Sequence, residues 1–113
     1  MATIKSFTDL PQSEVLAKIL PHESADAYYE PSMGFCTEPS EVMFGDIKYA
    51  HPRSIRCWSL AALLGVLPNE NMLVKTTDGE YYCLAKDVMT NHYDNPVDAC
   101  YGMILKLHEL KML

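Results

Sequence analysis

A chain of 113 residues, 49% hydrophobic and 21% charged, has the length and composition of one globular domain, and we predict a single domain over residues 1–113. Its net charge of −6 repels phosphate backbones, and no cluster of Lys and Arg interrupts that field, so nucleic acid is not a predicted partner. The longest apolar run is too short to span a bilayer and the N-terminus lacks a secretory pattern, so we expect a cytoplasmic protein without a membrane partner.

The first predicted element is an amphipathic helix over residues 11–20. Pro11 suits its first turn and Pro21 ends it. The next segment, HESADAYYEP, predicts at most a turn or two of helix with Ser24 as its cap. From residue 30 to residue 56 Pro and Gly are frequent, and one candidate strand lies over residues 41–49. Long segments with little regular structure are often functional, so we expect this one to contribute to any site.

The segment from residue 57 to residue 67 predicts a buried central helix. Nearly every position from Trp58 onward is apolar or small, which leaves no polar stripe to face water. We therefore expect other elements to surround this helix on all sides, with Trp58 as its largest contribution to burial.

Two further elements follow. Asp78-Gly79 favours the type I′ turn of a hairpin over residues 72–86, in which Val74 pairs with Cys83, and Met72 with Ala85, on the face expected to be the core side. Asn95 and Pro96 then begin a C-terminal helix over residues 96–111. Its predicted apolar face comprises Val97, Cys100, Met103, Ile104, Leu107 and Leu110. The elements together predict an α+β fold in which a small antiparallel sheet packs with helices.

Cys57 is the one candidate nucleophile. A cysteine at a helix start has a lowered thiol pKa, and SIRCWSLAALL is similar in this respect to the cysteine-then-aromatic helix start of papain-like peptidases. The glycine-rich lead-in of those enzymes is missing, and the candidate bases His92 and His51 lie in turn-like contexts. A thiol-dependent hydrolase is therefore one hypothesis for this chain, and a buried inert thiol is the alternative.

Two other hypotheses concern ligands. Arg53 and Arg56 stand ahead of the predicted central helix, where they bind an anion together with helix N–H groups or else pair with the surplus carboxylates. A small-ligand pocket would be lined by Tyr28, Phe44 and Tyr49 with Arg53. The spacing of the histidines and cysteines matches no metal motif, and we predict neither a metal nor a cofactor.

Three stretches of the sequence carry a resemblance: LAKILPHESADAYYE, CWSLAALLGVLP and DNPVDACYGMILKLHEL. Together they resemble a group of small proteins of gut Bacteroides-type bacteria and their phages or mobile elements. That resemblance implies an accessory protein of mobile-element type and brings no activity, cofactor or site residue.

The remaining function class is a non-enzymatic binding or assembly module. The C-terminal KLHELKML has more apolar surface than a free terminus needs, so we expect a protein partner, or a second copy of the chain in a homodimer.

Overall fold

A computed structural model of the chain describes residues 5–29, 42–44 and 54–113, and within them the fold is of the predicted α+β class. The helices are α1 (Leu10–Leu16), α2 (Leu60–Val66) and α3 (Pro96–Glu109), with a 3₁₀ turn at His22–Ser24. The strands are β1 (Ala27–Tyr29), β2 (Val42–Phe44), β3 (Ile55–Cys57), β4 (Met72–Lys75), β5 (Tyr81–Ala85) and β6 (Val88–Met89).

The chain divides into two compact units. The N-terminal unit is Phe7–Ala62, and the C-terminal unit is Leu63–Leu113 with the residues that precede Phe7. Among the described residues, each unit has a three-stranded antiparallel sheet, in the order β2-β1-β3 in the N-terminal unit and β4-β5-β6 in the C-terminal unit. The single domain over residues 1–113 stays a prediction.

Helix α1 begins one residue before Pro11 because Asp9 caps it. The Asp9 carboxylate accepts a hydrogen bond from the Gln12 N–H at 2.9 Å, and the Gln12 side chain accepts one from the Asp9 N–H at 3.1 Å. This reciprocal pair is a capping box, which satisfies two backbone donors at the helix start.

The predicted end of this helix is wrong, since α1 stops at Leu16 rather than at residue 20. Turns continue as far as Leu20, whose N–H donates to the Leu16 C=O at 2.8 Å. Pro21 disfavours helical backbone at the residue before it, which tightens the last turns. Leu16 and Leu20 are buried, as expected of an amphipathic segment, whereas Val15 is exposed.

The prediction for HESADAYYEP is wrong in two respects. Ser24 ends the 3₁₀ turn instead of capping a helix, and its Oγ donates to the Pro21 C=O at 2.6 Å. Tyr28 and Tyr29 lie on strand β1, not in a helical turn. Tyrosine favours strands, and β1 gains partners on both sides that the local sequence does not reveal.

Strand β1 is the centre of the N-terminal sheet. Tyr29 lies opposite Val42 of β2 and Ile55 of β3, and the candidate strand over residues 41–49 corresponds to β2, with residues 41 and 45–49 outside the described part of the chain. One side of this sheet forms the core of the unit. Its buried members are Leu10, Ala27, Tyr29 and Cys57, and Phe7, Val42 and Ile55 pack against them.

Trp58 is fully buried in the N-terminal unit, with 0% of its surface exposed. Its indole Nε1 donates to Ser24 Oγ at 3.0 Å, and its backbone N–H donates to Thr8 Oγ1 at 3.1 Å. Thr8 is itself buried, and its C=O accepts from the Tyr29 hydroxyl at 2.7 Å. The buried Trp58 is therefore held in place by hydrogen bonds from its ring and its backbone, and both of its N–H donors have an acceptor.

The buried central helix over residues 57–67 is wrong in position and in surroundings. Residues 55–57 form β3, and α2 starts only at Leu60, after Ser59 Oγ accepts from the Ala62 N–H at 3.2 Å. Within α2 only Leu63 is buried. Ile55–Cys57 is a strand because it pairs with β1, and a short apolar run does not by itself distinguish a buried strand from a buried helix.

The predicted hairpin exists in the C-terminal unit, but its register differs by one residue. Val74 pairs with Tyr82 rather than Cys83, because the loop has three residues instead of two. The Gly79 N–H donates to the Thr76 C=O at 3.0 Å, and Gly79 has a φ of 83°. A type I turn followed by a left-handed glycine is the usual three-residue hairpin loop.

A two-residue turn of the type I′ kind occurs further along the chain, at Lys86-Asp87. Both residues have positive φ, 48° and 63°, and they connect Ala85 to its partner Val88 on β6. Neither Lys86 nor Asp87 is the glycine that is typical of such a turn, so β6 is not predictable from the local sequence.

Helix α3 is the most accurately predicted element. Asn95 caps it by accepting from the Asp98 N–H at 2.8 Å, and five of the six predicted apolar-face residues are fully buried. Leu110 is the exception at 51% exposed, because the helix ends at Glu109 rather than at residue 111.

Candidate functional site

Cys57 does not occupy a helix start. It is the last residue of β3, its exposed fraction is 0%, and α2 begins three residues later at Leu60. The helix terminus that would lower its thiol pKa is therefore not at the cysteine, and solvent does not reach the sulfur. This geometry favours the inert thiol over the nucleophile.

Of the two candidate bases, His51 lies outside the described residues. His92 lies in the C-terminal unit, where its ring stacks on Tyr82 with centroids 5.0 Å apart and an angle of 13° between the rings. Its Nδ1 is 3.5 Å from Glu80 Oε1. These contacts fix His92 beside the hairpin, whereas Cys57 belongs to the other unit.

Arg56 forms structural contacts inside the N-terminal unit. Its Nη2 donates to the Ala17 C=O at 3.1 Å, and its guanidinium carbon lies 5.8 Å from the centre of the Trp58 ring. Arg56 and Tyr28 are opposite each other on β3 and β1. Arg53, Tyr49 and the side chain of Phe44 lie outside the described residues.

The proposed anion position at the start of α2 is occupied by a side chain of the protein. The Asp26 carboxylate accepts from the Ser59 N–H at 3.0 Å and from the Ser59 hydroxyl. A carboxylate in this place already supplies the negative charge that a helix start favours. Among the described residues, no group of three His, Cys, Asp or Glu is arranged to hold a metal ion.

The C-terminal sheet presents the most distinctive surface, a row of apolar side chains across its three strands. Met72 of β4 lies opposite Leu84 of β5, and Leu84 lies opposite Met89 of β6. Residues directly opposite each other in an antiparallel sheet project from the same face. We call this set the methionine row. Met72 is 56% exposed and Met89 is 53% exposed, although both are large apolar residues.

The opposite face of this sheet packs on α3. Cys83 of β5 and Cys100 of α3 are both fully buried, and a hydrogen bond between the two thiols lowers the pKa of Cys83 and raises the pKa of Cys100. Side chains alternate between faces along a strand, so Cys83 on the α3 side places its neighbour Leu84 on the other side. The methionine row is therefore the face that α3 leaves uncovered.

A cavity of about 430 Å³ adjoins the methionine row. Met72, Leu84 and Ala85 supply its apolar part. The polar part of the lining comprises Asn69, Glu70, Lys86 and Asp87. The cavity can accept one apolar side chain whose neighbours meet charged groups, which is the usual anatomy of an interface centre with a polar rim.

Three residues that line this cavity have left-handed backbone, which is uncommon for residues other than glycine. Glu70 has a φ of 66°, and Lys86 and Asp87 form the turn between β5 and β6. Such conformations cost about 1–3 kcal/mol each and persist where the surrounding structure holds them, as the β5–β6 turn does at Lys86-Asp87. This backbone conformation places the charged residues Lys86 and Asp87 at the cavity.

Sequence reasoning missed the methionine row because a register error changes which face is buried. The predicted pairing put Met72 and Val74 on the core side, and that prediction is wrong: a shift of one residue exchanges the two faces of a strand. The predicted register assumes a two-residue loop, whereas Thr76 and Glu80 pair around three residues, with the Thr76 N–H donating to the Glu80 C=O at 2.8 Å. Asp78-Gly79 is compatible with either loop length, so the sequence does not distinguish the two registers.

A scan of protein-family models finds no match to this chain, and no curated protein and no solved structure matches it significantly. None of the helices in the described part of the chain combines the length and the apolar composition needed to cross a bilayer.

Proposed function

We propose that this chain is a non-enzymatic protein-interaction module that binds a protein partner through the methionine row of its C-terminal sheet. The observation that carries the proposal is the exposure of Met72 and Met89 on either side of Leu84. Contact of an apolar surface with water is unfavourable, so a partner that covers the methionine row binds with the free energy gained by removing that surface from water.

Methionine suits this role. Its unbranched side chain adapts to irregular surfaces, and it is enriched in protein interfaces. The neighbouring cavity supplies a recess for one anchoring side chain. Glu70 and Asp87 outnumber Lys86 in its lining, which favours a partner with a basic residue beside that anchor. The chain would then act as an accessory protein in the cytoplasm, of the mobile-element type that the resemblance implies.

The chemistry of the described residues supports a binding role more than the hydrolase hypothesis. Cys57 is enclosed in the core of the N-terminal unit, and the start of α2, where the Ser59 N–H donates to the Asp26 carboxylate, lies further along the chain. A nucleophile must be accessible to its substrate, and this one is not.

The test is affinity capture from the native host with three forms of the tagged full chain. The double variant Met72→Ser/Met89→Ser removes the apolar row, and Met43→Ser is the matched control because Met43 is also an exposed methionine, on β2 of the N-terminal unit. Each exposed substitution should change stability by no more than about 0.5 kcal/mol, which circular dichroism during urea unfolding checks.

We expect the wild type and Met43→Ser to recover the same protein, and the double variant to lose it. Equal recovery by all three forms would contradict the role of the methionine row. Recovery of no specific protein by the wild type would contradict the proposed function itself.

A further inference from the structure

Strand β4 ends the C-terminal sheet on one side. It pairs with β5, and within the described residues no strand lies along its other edge. An open edge presents unpaired backbone N–H and C=O groups, and these are a template for another strand.

The hydrogen bonds of β5 show which residues of β4 point to the open edge. Tyr81 exchanges two backbone hydrogen bonds with Tyr93, at 2.7 and 2.8 Å, and the Cys83 C=O accepts from the Thr90 N–H at 3.0 Å. The backbone groups of Tyr81 and Cys83 are therefore turned away from β4.

Their partners on β4 are Lys75 and Leu73, respectively. Hydrogen-bonded and non-hydrogen-bonded pairs alternate in an antiparallel ladder, so Lys75 and Leu73 belong to the non-hydrogen-bonded class with respect to β5. Their own N–H and C=O groups consequently point outward, to the open edge.

We propose that β4 pairs with β4 of a second copy of this chain, antiparallel and centred on Leu73. The two Leu73 residues then exchange two backbone hydrogen bonds, and Lys75 of each copy lies opposite Asn71 of the other. The inference rests on the proposed function, because it names the partner that the same sheet takes along its edge.

Apolar complementarity supports a second copy as the occupant. In this register Met72 of each copy lies opposite Val74 of the other, on the face that carries the methionine row. The two rows become one continuous apolar surface across the joined sheets. A two-fold axis pairs the two β4 edges with each other, so this contact is complete in a dimer.

Charge supports the antiparallel direction. Lys75 ends β4, and Glu70 stands just before its beginning. Antiparallel pairing brings Lys75 of one copy to the end of the strand where the other copy has Glu70, whereas parallel pairing places the two lysines side by side.

The experiment combines sedimentation equilibrium of the full chain with residue-resolved amide hydrogen exchange over a concentration series. We expect a monomer–dimer equilibrium in which the amides of Leu73 and Lys75 become protected as the dimer forms. The Met89 amide is the internal control, because it lies on the strand at the other edge of the same sheet. A monomer at high micromolar concentration would overturn the proposal, and so would a dimer whose Leu73 and Lys75 amides stay unprotected.

Two sets of variants separate this edge from other contacts. Leu73→Pro removes the outward donor while leaving the β5 ladder its hydrogen bonds, and should abolish the dimer. Lys75→Glu should raise the dissociation constant about fivefold, and Glu70→Lys added to it should restore the wild-type value. Failure of the double charge reversal to restore dimerisation would overturn the antiparallel register, even where Leu73→Pro does not fold.

The two proposals fail in different ways. A strict monomer that still captures its partner through the methionine row overturns the edge pairing alone. A dimer with protected Leu73 and Lys75 amides, whose Met72→Ser/Met89→Ser form captures the same protein as the wild type, overturns the row as a binding site alone.

Discussion

Replacing Trp58 with alanine removes the largest fully buried side chain of the N-terminal unit. Truncation of a buried aromatic residue costs about 3–5 kcal/mol, since it loses apolar burial and leaves a cavity that the surroundings fill only in part. The loss also includes the hydrogen bond from Nε1 to Ser24 Oγ, at 3.0 Å. Domains of this size are stable by only about 5–15 kcal/mol, so the change consumes a large part of the total.

Urea unfolding followed by far-ultraviolet circular dichroism measures this effect. Fluorescence is unsuitable because Trp58 is the only tryptophan. With a urea dependence of about 1–3 kcal/mol per molar, the unfolding midpoint should fall by roughly 2 M. Trp58→Phe keeps most of the apolar volume and loses the Nε1 donor, and we expect it to cost about 1–2 kcal/mol.

Leu110→Ala is the matched control, because Leu110 is a large apolar residue that is 51% exposed. Its substitution should change the free energy of unfolding by no more than about 0.5 kcal/mol. A loss below about 1 kcal/mol for Trp58→Ala would refute the reasoning that this side chain, with its polar partners, organises the unit.

Three further predictions concern glycine, turn geometry and thiols. Gly65→Ala should stabilise the chain by about 0.5–1 kcal/mol because a Cβ there meets open space, whereas Gly102→Ala should give no gain because its Cβ would lie 2.6 Å from the Tyr93 hydroxyl; urea midpoints that rise equally would contradict this. Asp87→Gly should stabilise by about 0.5–1 kcal/mol by relieving left-handed backbone, and a lower melting temperature would contradict it. Three cysteines are buried: Cys57, Cys83 and Cys100. Alkylation followed by mass spectrometry should modify them only after unfolding, and rapid labelling of any of the three in the native chain would contradict its burial.

The elements that sequence reasoning located well are those with local determinants. Helix α3 has a cap at Asn95, a proline in its first turn and an apolar face that repeats with the helical period, and all three are properties of neighbouring residues. The two hairpin strands are predictable for the same reason, since Asp78-Gly79 indicates a turn between them whether the loop has two residues or three.

The prediction of a helix over residues 57–67 was wrong because the structure at its start depends on residues that are distant in the sequence. Ile55–Cys57 becomes a strand by pairing with Ala27–Tyr29, almost thirty residues earlier in the chain. No pattern inside SIRCWSLAALL distinguishes a strand followed by a short helix from one continuous buried helix. The candidate nucleophile at Cys57 depended on that helix start, and the structure assigns the residue to a core instead.

Sequence alone determined the α+β class, the amphipathic C-terminal helix and the existence of the hairpin, because periodicity, caps and turn residues act over a few neighbouring positions. Tertiary structure decided the register of β4 on β5, the third strand β6 and therefore which face of the sheet α3 covers. A side-chain period of two makes that decision sensitive to a single residue in a loop. Because the register differs by one residue from the predicted one, Met72 is not on the core side but is the most exposed residue of the methionine row.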